Sequence, residues 1–292
     1  MTLSSDTVLS SVTVGEAMRR QVVRAEPEES IASCIARMVK YKTGAVLVED
    51  GRDTSLGVIS KTDVVAMYYA GLEVDNRVGE MAVNEPVCCH PGDRLETALA
   101  TMLERGIRRV YVREDEETGI TGVVGYADIV GAMYRFCVRC RRNLYNSGKL
   151  RPETGGWLKV EDVMHRGVTG CSASKPLLAA LETLLEGGMG AVAVFDNSGR
   201  RPEGVLSMTD AILAYRHGMD PQTAVDGIMT APVLTCERKD YLTSSLRTMI
   251  LADVQRIFVT TADHRGLEGV ISLTDAARSR SGACKACNAA RL

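Results

Sequence analysis

Aromatic side chains are scarce in this chain. Phe, Trp and Tyr make up 4% of its 292 residues, with a single Trp. A core without large rings must be aliphatic, drawn from Val, Leu, Ile, Ala and Met. Net charge is nearly absent too, at -2. That removes a global attraction to nucleic acid or to an anionic membrane surface. No run of about 18 apolar residues occurs, so no membrane span is expected. The opening stretch, MTLSSDTVLSSVTV, lacks the basic region and apolar stretch of a secretory signal. A cytoplasmic protein is therefore expected, with its nine Cys as thiols or metal ligands, not disulfides. Catalytic motifs are missing as well. The four histidines, His90, His165, His217 and His264, are scattered, and none lies in a recognisable dyad. No enzyme activity is expected.

What is present is repetition, which must be read before anything else. GVISKTD begins at Gly57, GVVGYAD at Gly122, GVLSMTD at Gly204 and GVISLTD at Gly269. Their last residues, Asp63, Asp128, Asp210 and Asp275, are 65, 82 and 65 apart, so the two halves are in register at 147. Met18, Met81, Met164 and Met229 form a second landmark, each ending a short segment that opens with Val. A strand-like stretch follows each Met. Next come apolar residues at helical spacing: Ile31, Ile35, Met38 and Val39; Leu95, Leu99, Met102 and Leu103; Leu177, Leu181, Leu184 and Leu185; Leu242, Leu246, Met249 and Ile250. A strand, the heptad strand and a last helix complete each unit. The pattern is β-α-β-β-α, an α/β (α+β) fold in four copies. A unit of roughly 60 residues buries too little surface to stand alone, so pairing is expected.

The Ser and Asp of three heptads, Ser60 with Asp63, Ser207 with Asp210 and Ser272 with Asp275, make a capping box, worth about 1 kcal/mol to the helix. That geometry is also chemically useful. A helix N-terminus suits a phosphate, and a carboxylate has two acceptor oxygens for a cis-diol.

The order of elements and the four heptads resemble CBS domains, which occur as tandem pairs (Bateman modules). The resemblance covers nearly all of residues 12–281. It implies a first pair over 12–145, with repeats of about 12–75 and 76–145, then a linker at 146–156. A second pair follows over 157–281, with repeats of about 157–222 and 223–281, and then a Cys-containing tail at 282–292. The pairs are expected to form a flat, pseudo-symmetric disc. The resemblance implies a non-catalytic regulatory module that binds AMP, ADP or ATP in clefts between paired repeats and signals to a regulated protein. Single-chain and homodimeric assemblies both fit. Carried over by motif, the binding residues are Ser60, Thr62 and Asp63; Ser207, Thr209 and Asp210; and Ser272, Thr274 and Asp275. Unit two has Gly125 and Ala127 where the others have hydroxyls, and keeps only Asp128. This half-site is expected to be weak, empty or adapted to another ligand. Units two and four carry Arg108, Arg109 and Arg256 before the middle strand, where the resemblance implies phosphate contact. Alternatively, such an Arg snorkels at a strand edge. Units one and three have Gly44-Ala45 and Gly190-Ala191 there.

Two CxxC motifs, Cys137–Cys140 and Cys284–Cys287, are also related by 147. Together they offer four thiolates for zinc or an iron–sulfur cluster, or simply inert or redox-active thiols. The resemblance gives them no support. Cys88, Cys171 and Cys236 fall in first strands and are expected to be buried. The run from Arg135 to Arg151 holds six basic residues and no acid. It reads first as a solvated helix face, with a nucleic-acid contact as the alternative.

Overall fold

The computed structural model describes residues 8–50, 55–82, 85–115, 118–146 and 157–280. A short helix, α1 (Val14–Ala17), leads in. Repeat 1 is β1 (Arg24–Ala25), α2 (Ile31–Lys40), β2 (Ala45–Glu49), β3 (Ser55–Ser60) and α3 (Lys61–Tyr69). Repeat 2 is β4 (Cys88–Cys89), α4 (Leu95–Glu104), β5 (Arg109–Val112), β6 (Gly122–Gly125) and α5 (Tyr126–Asn146). Repeat 3 adds a leading strand, β7 (His165–Arg166), before β8 (Gly170–Ser172), α6 (Leu177–Glu186), β9 (Ala191–Phe195), β10 (Pro202–Ser207) and α7 (Met208–Arg216). Repeat 4 is β11 (Thr235–Glu237), α8 (Leu242–Leu251), β12 (Arg256–Thr260), β13 (Leu267–Ser272) and α9 (Leu273–Ser279).

Each repeat forms the same small sheet. The middle strand pairs in parallel with the first strand and antiparallel with the heptad strand. A parallel neighbour requires a crossover, and the first long helix supplies it. That helix buries one face. In α8 the buried positions are Leu242, Ser245, Leu246 and Met249. Positions 0, 3, 4 and 7 lie together at 3.6 residues per turn, whereas position 8 falls about 80° from position 0. This is why Ile250, expected inside, is 41% exposed.

The repeats close into a ring through two kinds of contact. Within each half, sheets meet. The segment after Met18 pairs with β6 through Arg19 and Val123, β7 pairs with β13, and Thr230 pairs with Val205 of β10. Leu47 and Tyr111, from β2 and β5, share one small apolar cluster. Between halves, helices meet. α3 packs on α7 and α6, and α5 on α9 and α8. One large core therefore joins repeats 1 and 3, and another joins repeats 2 and 4. At the first of these seams Tyr68 and Tyr215 stack, with ring centroids 4.8 Å apart. Their hydroxyls donate reciprocally, Tyr68 to the Met219 carbonyl at 2.6 Å and Tyr215 to the Leu72 carbonyl at 2.7 Å. Tyr68 and Tyr215 differ by 147, so the period of the sequence is also the symmetry of the seam.

Among the described residues, no helix is long and apolar enough to cross a membrane. α5 carries the basic run as far as Asn146. Apart from Asn146, the expected linker lies outside the described residues, as does the tail with Cys284 and Cys287.

Candidate functional site

The capping boxes form as the motif requires. Ser60, Ser207 and Ser272 cap α3, α7 and α9, and each accepts from the backbone N–H of its Asp. Each Asp in turn accepts from the Ser backbone N–H, at 2.7 Å for Asp63 and Asp210 and 2.9 Å for Asp275. In repeat 2 half of the box survives without a hydroxyl, because Gly125 N–H donates to Asp128 at 2.8 Å. The hydroxyls are partly committed. Ser207 and Ser272 each donate to their own Asp at 2.6 Å. Of the threonines, Thr62 is exposed while Thr209 and Thr274 are half-buried.

The heptad glycine makes room for a segment of the neighbouring repeat. A Cβ on Gly269 would sit 2.5 Å from the His165 carbonyl oxygen. One on Gly204 would meet Met229 Sδ at 2.5 Å, and one on Gly122 would meet Met18 Sδ at 2.5 Å. One on Gly57 would meet the Ala82 carbonyl oxygen at 2.8 Å. The two sequence landmarks thus touch in space: the heptad glycine of one repeat seats the Met segment of its partner repeat.

That seating sets the residue after each Met against the partner repeat's heptad acid. Arg19 Nε lies 3.1 Å from Asp128 Oδ1. His165 Nε2 lies 2.8 Å from Asp275 Oδ1. Thr230 Oγ1 donates to Asp210 Oδ1 at 3.0 Å. The fourth such residue is Ala82, which has no side-chain donor. His165, counted among scattered histidines in the sequence, therefore has a carboxylate partner. The carboxylates sit deep: Asp275 is 7% exposed, and burial lifts the Asp128 carboxyl above its ordinary range against the pull of Arg19.

The arginines converge. Arg109 Nη1 donates to Thr43 Oγ1 at 2.9 Å, across the first half. Arg256 Nη1 donates to the Ala191 carbonyl at 3.1 Å, across the second. Arg108 Nη2 reaches the Gly188 carbonyl at 2.6 Å, from repeat 2 to repeat 3. Arg109 and Arg256 are half-buried and Arg108 is exposed. Gly44 and Gly190 leave the room: a Cβ on Gly44 would overlap Arg109, and one on Gly190 would sit 2.6 Å from Arg256 and 2.9 Å from Arg108. Lys61, overlooked in the heptad, joins them and donates to Thr209 Oγ1 at 2.7 Å. Its signal was legible. The same place holds Tyr126, Met208 and Leu273, all buried and without charge. Burial and the charge of Arg109 bring Lys61 down to about 8. Burial and the charge of Arg108 bring Arg256 down to about 10, and burial lowers Arg108 and Arg109 as well. Cations held below their ordinary range chiefly by burial, with neighbouring cations adding to it at Lys61, Arg109 and Arg256, would be favoured by an anion among them.

Beside Arg109 lies a cavity of about 240 Å³, lined by Arg19, Arg109, Val23, Tyr41, Tyr111 and Val123 among others. It is slightly smaller than the roughly 300 Å³ at which ligand pockets commonly begin. Arg19, which lines it, pairs with Asp128, the acid of the incomplete heptad.

The cysteines are less informative. Cys137 is buried and Cys140 half-buried on α5. No group of three or more potential metal ligands occurs among the described residues. Cys88, Cys171 and Cys236 are half-buried in first strands, not fully buried as expected. Burial raises all three thiols, Cys236 to about 11.

Comparison with known proteins agrees with this architecture. The CBS domain family model matches residues 14–69, 78–135, 160–217 and 225–282. The crystal structure of protein MJ1225 from Methanocaldococcus jannaschii superposes with a TM-score of 0.75 at 16% identity, covering 91% of this chain and 99% of that one. An uncharacterised protein from Pyrococcus horikoshii gives 0.59 at 19% identity, over 92% of this chain and 100% of that one. In sequence, the 5'-AMP-activated protein kinase subunit gamma of Kluyveromyces lactis is 27% identical over 197 residues, 64% of this chain and 57% of that subunit. Protein MK0525 of Methanopyrus kandleri is 27% identical over 124 residues, 42% of this chain and 63% of that protein. With four matched repeats, the chain belongs to the CBS domain family.

Proposed function

We propose that this chain is a non-catalytic regulatory module. Adenine nucleotides of the AMP, ADP and ATP class bind in the clefts between paired repeats, and occupancy is passed to a partner protein. The observation that carries this reading is the convergence of Lys61, Arg109 and Arg256, whose pKa values are lowered by burial, with the more exposed Arg108 beside Arg256. Those cations await phosphate, and the heptad carboxylates at the surrounding corners await ribose. The gamma subunit name borne by the Kluyveromyces lactis relative is consistent with it. Ser60, Ser207, Ser272 and the paired threonines line the helix starts that flank the phosphates.

The signal has a physical route. Lys61 of repeat 1 holds Thr209 of repeat 3, and Arg108 of repeat 2 holds Gly188 of repeat 3. An anion drawing these side chains inward changes contacts between the halves, so occupancy alters the ring as a whole. Isothermal titration of the intact chain with AMP, ADP, ATP and S-adenosylmethionine tests the reading. Binding of an adenine nucleotide at micromolar to millimolar affinity supports it, and no heat with any of the four removes it.

A metal- or redox-responsive reading is favoured by one observation. α5, which carries Cys137 and Cys140, packs on α9, the helix before Cys284 and Cys287. Metal analysis of protein purified without chelator separates the two readings. A stoichiometry near zero excludes zinc.

A further inference from the structure

We infer that the residue following each landmark Met decides, corner by corner, whether the heptad carboxylate is free to read a ribose diol, and that Arg19 closes the Asp128 corner to it. This rests on the nucleotide-binding reading and deepens it.

The argument starts from geometry. The heptad glycine of one repeat accepts the Met segment of the other, so the next side chain is delivered to the partner carboxylate whatever its chemistry. Three corners carry a group that hydrogen-bonds there: Arg19 on Asp128, His165 on Asp275 and Thr230 on Asp210. At the Asp63 corner the residue is Ala82. A carboxylate binds a diol with its two oxygens. All four carboxylates accept one N-cap N–H, but at Asp128 both oxygens also lie within 3.3 Å of Arg19 Nε. A ribose entering this corner must displace a guanidinium from a deeply set carboxylate. The guanidinium brings a full positive charge as well as an N–H donor to that carboxylate, whereas a sugar hydroxyl brings a donor alone.

The cavity beside this corner shows what remains. Its polar wall includes Arg20, Gln21, Thr43 and Arg109, its apolar wall includes Tyr41, Tyr111 and Val123, and with the Arg19 guanidinium held by Asp128 the anion's partner there is Arg109. A flat ring with an anionic group fits those walls without using Asp128 at all. The Asp128 corner therefore takes a purine nucleotide through base and phosphate, indifferent to the 2′-hydroxyl. The Asp63 corner reads the diol.

The test is calorimetric titration of the full chain with AMP and 2′-deoxyAMP. Arg19→Ala should tighten AMP at one site by about tenfold and leave 2′-deoxyAMP nearly unchanged. Adding Asp128→Asn should abolish that gain. The reverse graft, Ala82→Arg, should weaken AMP by about tenfold at a different site. Arg19 has a side chain 46% exposed, so its loss should leave the fold intact, and an unchanged melting curve checks this. If Arg19→Ala weakens AMP, or moves AMP and 2′-deoxyAMP alike, Arg19 is a ligand contact and the inference is overturned. If neither the wild type nor any variant binds a nucleotide, the nucleotide-binding reading fails and this inference with it. If the wild type binds and the variants do not differ, only the inference fails.

Discussion

Odd and even repeats share one fold but divide the work. Repeats 2 and 4 begin their middle strands with Arg109 and Arg256, and repeats 1 and 3 begin theirs with Gly44-Ala45 and Gly190-Ala191. The guanidiniums of the even repeats occupy the space those glycines leave. Neither set makes the central cluster alone. The odd repeats differ from each other in turn, because Lys61 stands where repeat 3 has the buried Met208. Duplication supplied four equal corners, and a handful of side chains made them unequal.

The sharpest way to break this division is to remove its cations. Replacing Arg109 and Arg256 together by Met should weaken ATP by about 100-fold or more, since hydrogen bonds to charged groups contribute about 1.5–3 kcal/mol each. Thermal unfolding should change little, because the bonds lost to Thr43 and the Ala191 carbonyl offset the relief of burying charges that, among the described residues, have no carboxylate within ion-pair distance.

Filling the glycine space attacks the same division from the other side. Gly190→Val should push Arg256 and Arg108 aside and weaken ATP by about tenfold, a 1.4 kcal/mol effect. Titration of that variant beside wild type reads it directly.

Lys61 offers a pH test. Its pKa is about 8 in the folded chain against an ordinary 10.5. The unfolded chain therefore binds more protons between those values, and this group's contribution makes stability rise with pH across that window. Below it, the charged lysine is a burden. Lys61→Met should raise stability at pH 7 by on the order of 1 kcal/mol in chemical denaturation. Bound phosphate has the opposite effect and favours the charged lysine. Nucleotide affinity in wild type should be full below pH 8 and fall as pH rises above it, and Lys61→Met should flatten that profile.

The smallest effect belongs to the caps. Ser272→Ala should cost about 1 kcal/mol of stability. Repeat 2 lives without that hydroxyl, so a Gly125→Ser chain measures the reciprocal gain. A Cβ there has ordinary contacts, the nearest at 3.4 Å.

The local chemistry of this fold was legible in sequence. The heptads, the Met landmarks and the helical spacing of Leu242, Leu246 and Met249 are short-range signals, and each produced its element. The closure of the ring was not legible, because repeats 1 and 3 meet through side chains 147 residues apart, such as Tyr68 and Tyr215. The roles of Arg19, His165 and Thr230 were hidden for the same reason. Each acts on a carboxylate in another repeat, at a distance no local pattern encodes. Lys61 was in plain view as a charge in a place that is apolar in the other three copies.

Co-crystallisation of the intact chain with ATP tests the central claim most directly. The account predicts an ordered nucleotide between paired repeats, its phosphates within hydrogen-bond distance of Lys61, Arg109 or Arg256 and a ribose hydroxyl on Asp63. A nucleotide bound elsewhere, or an inter-repeat cleft left vacant at saturating ATP, would contradict it.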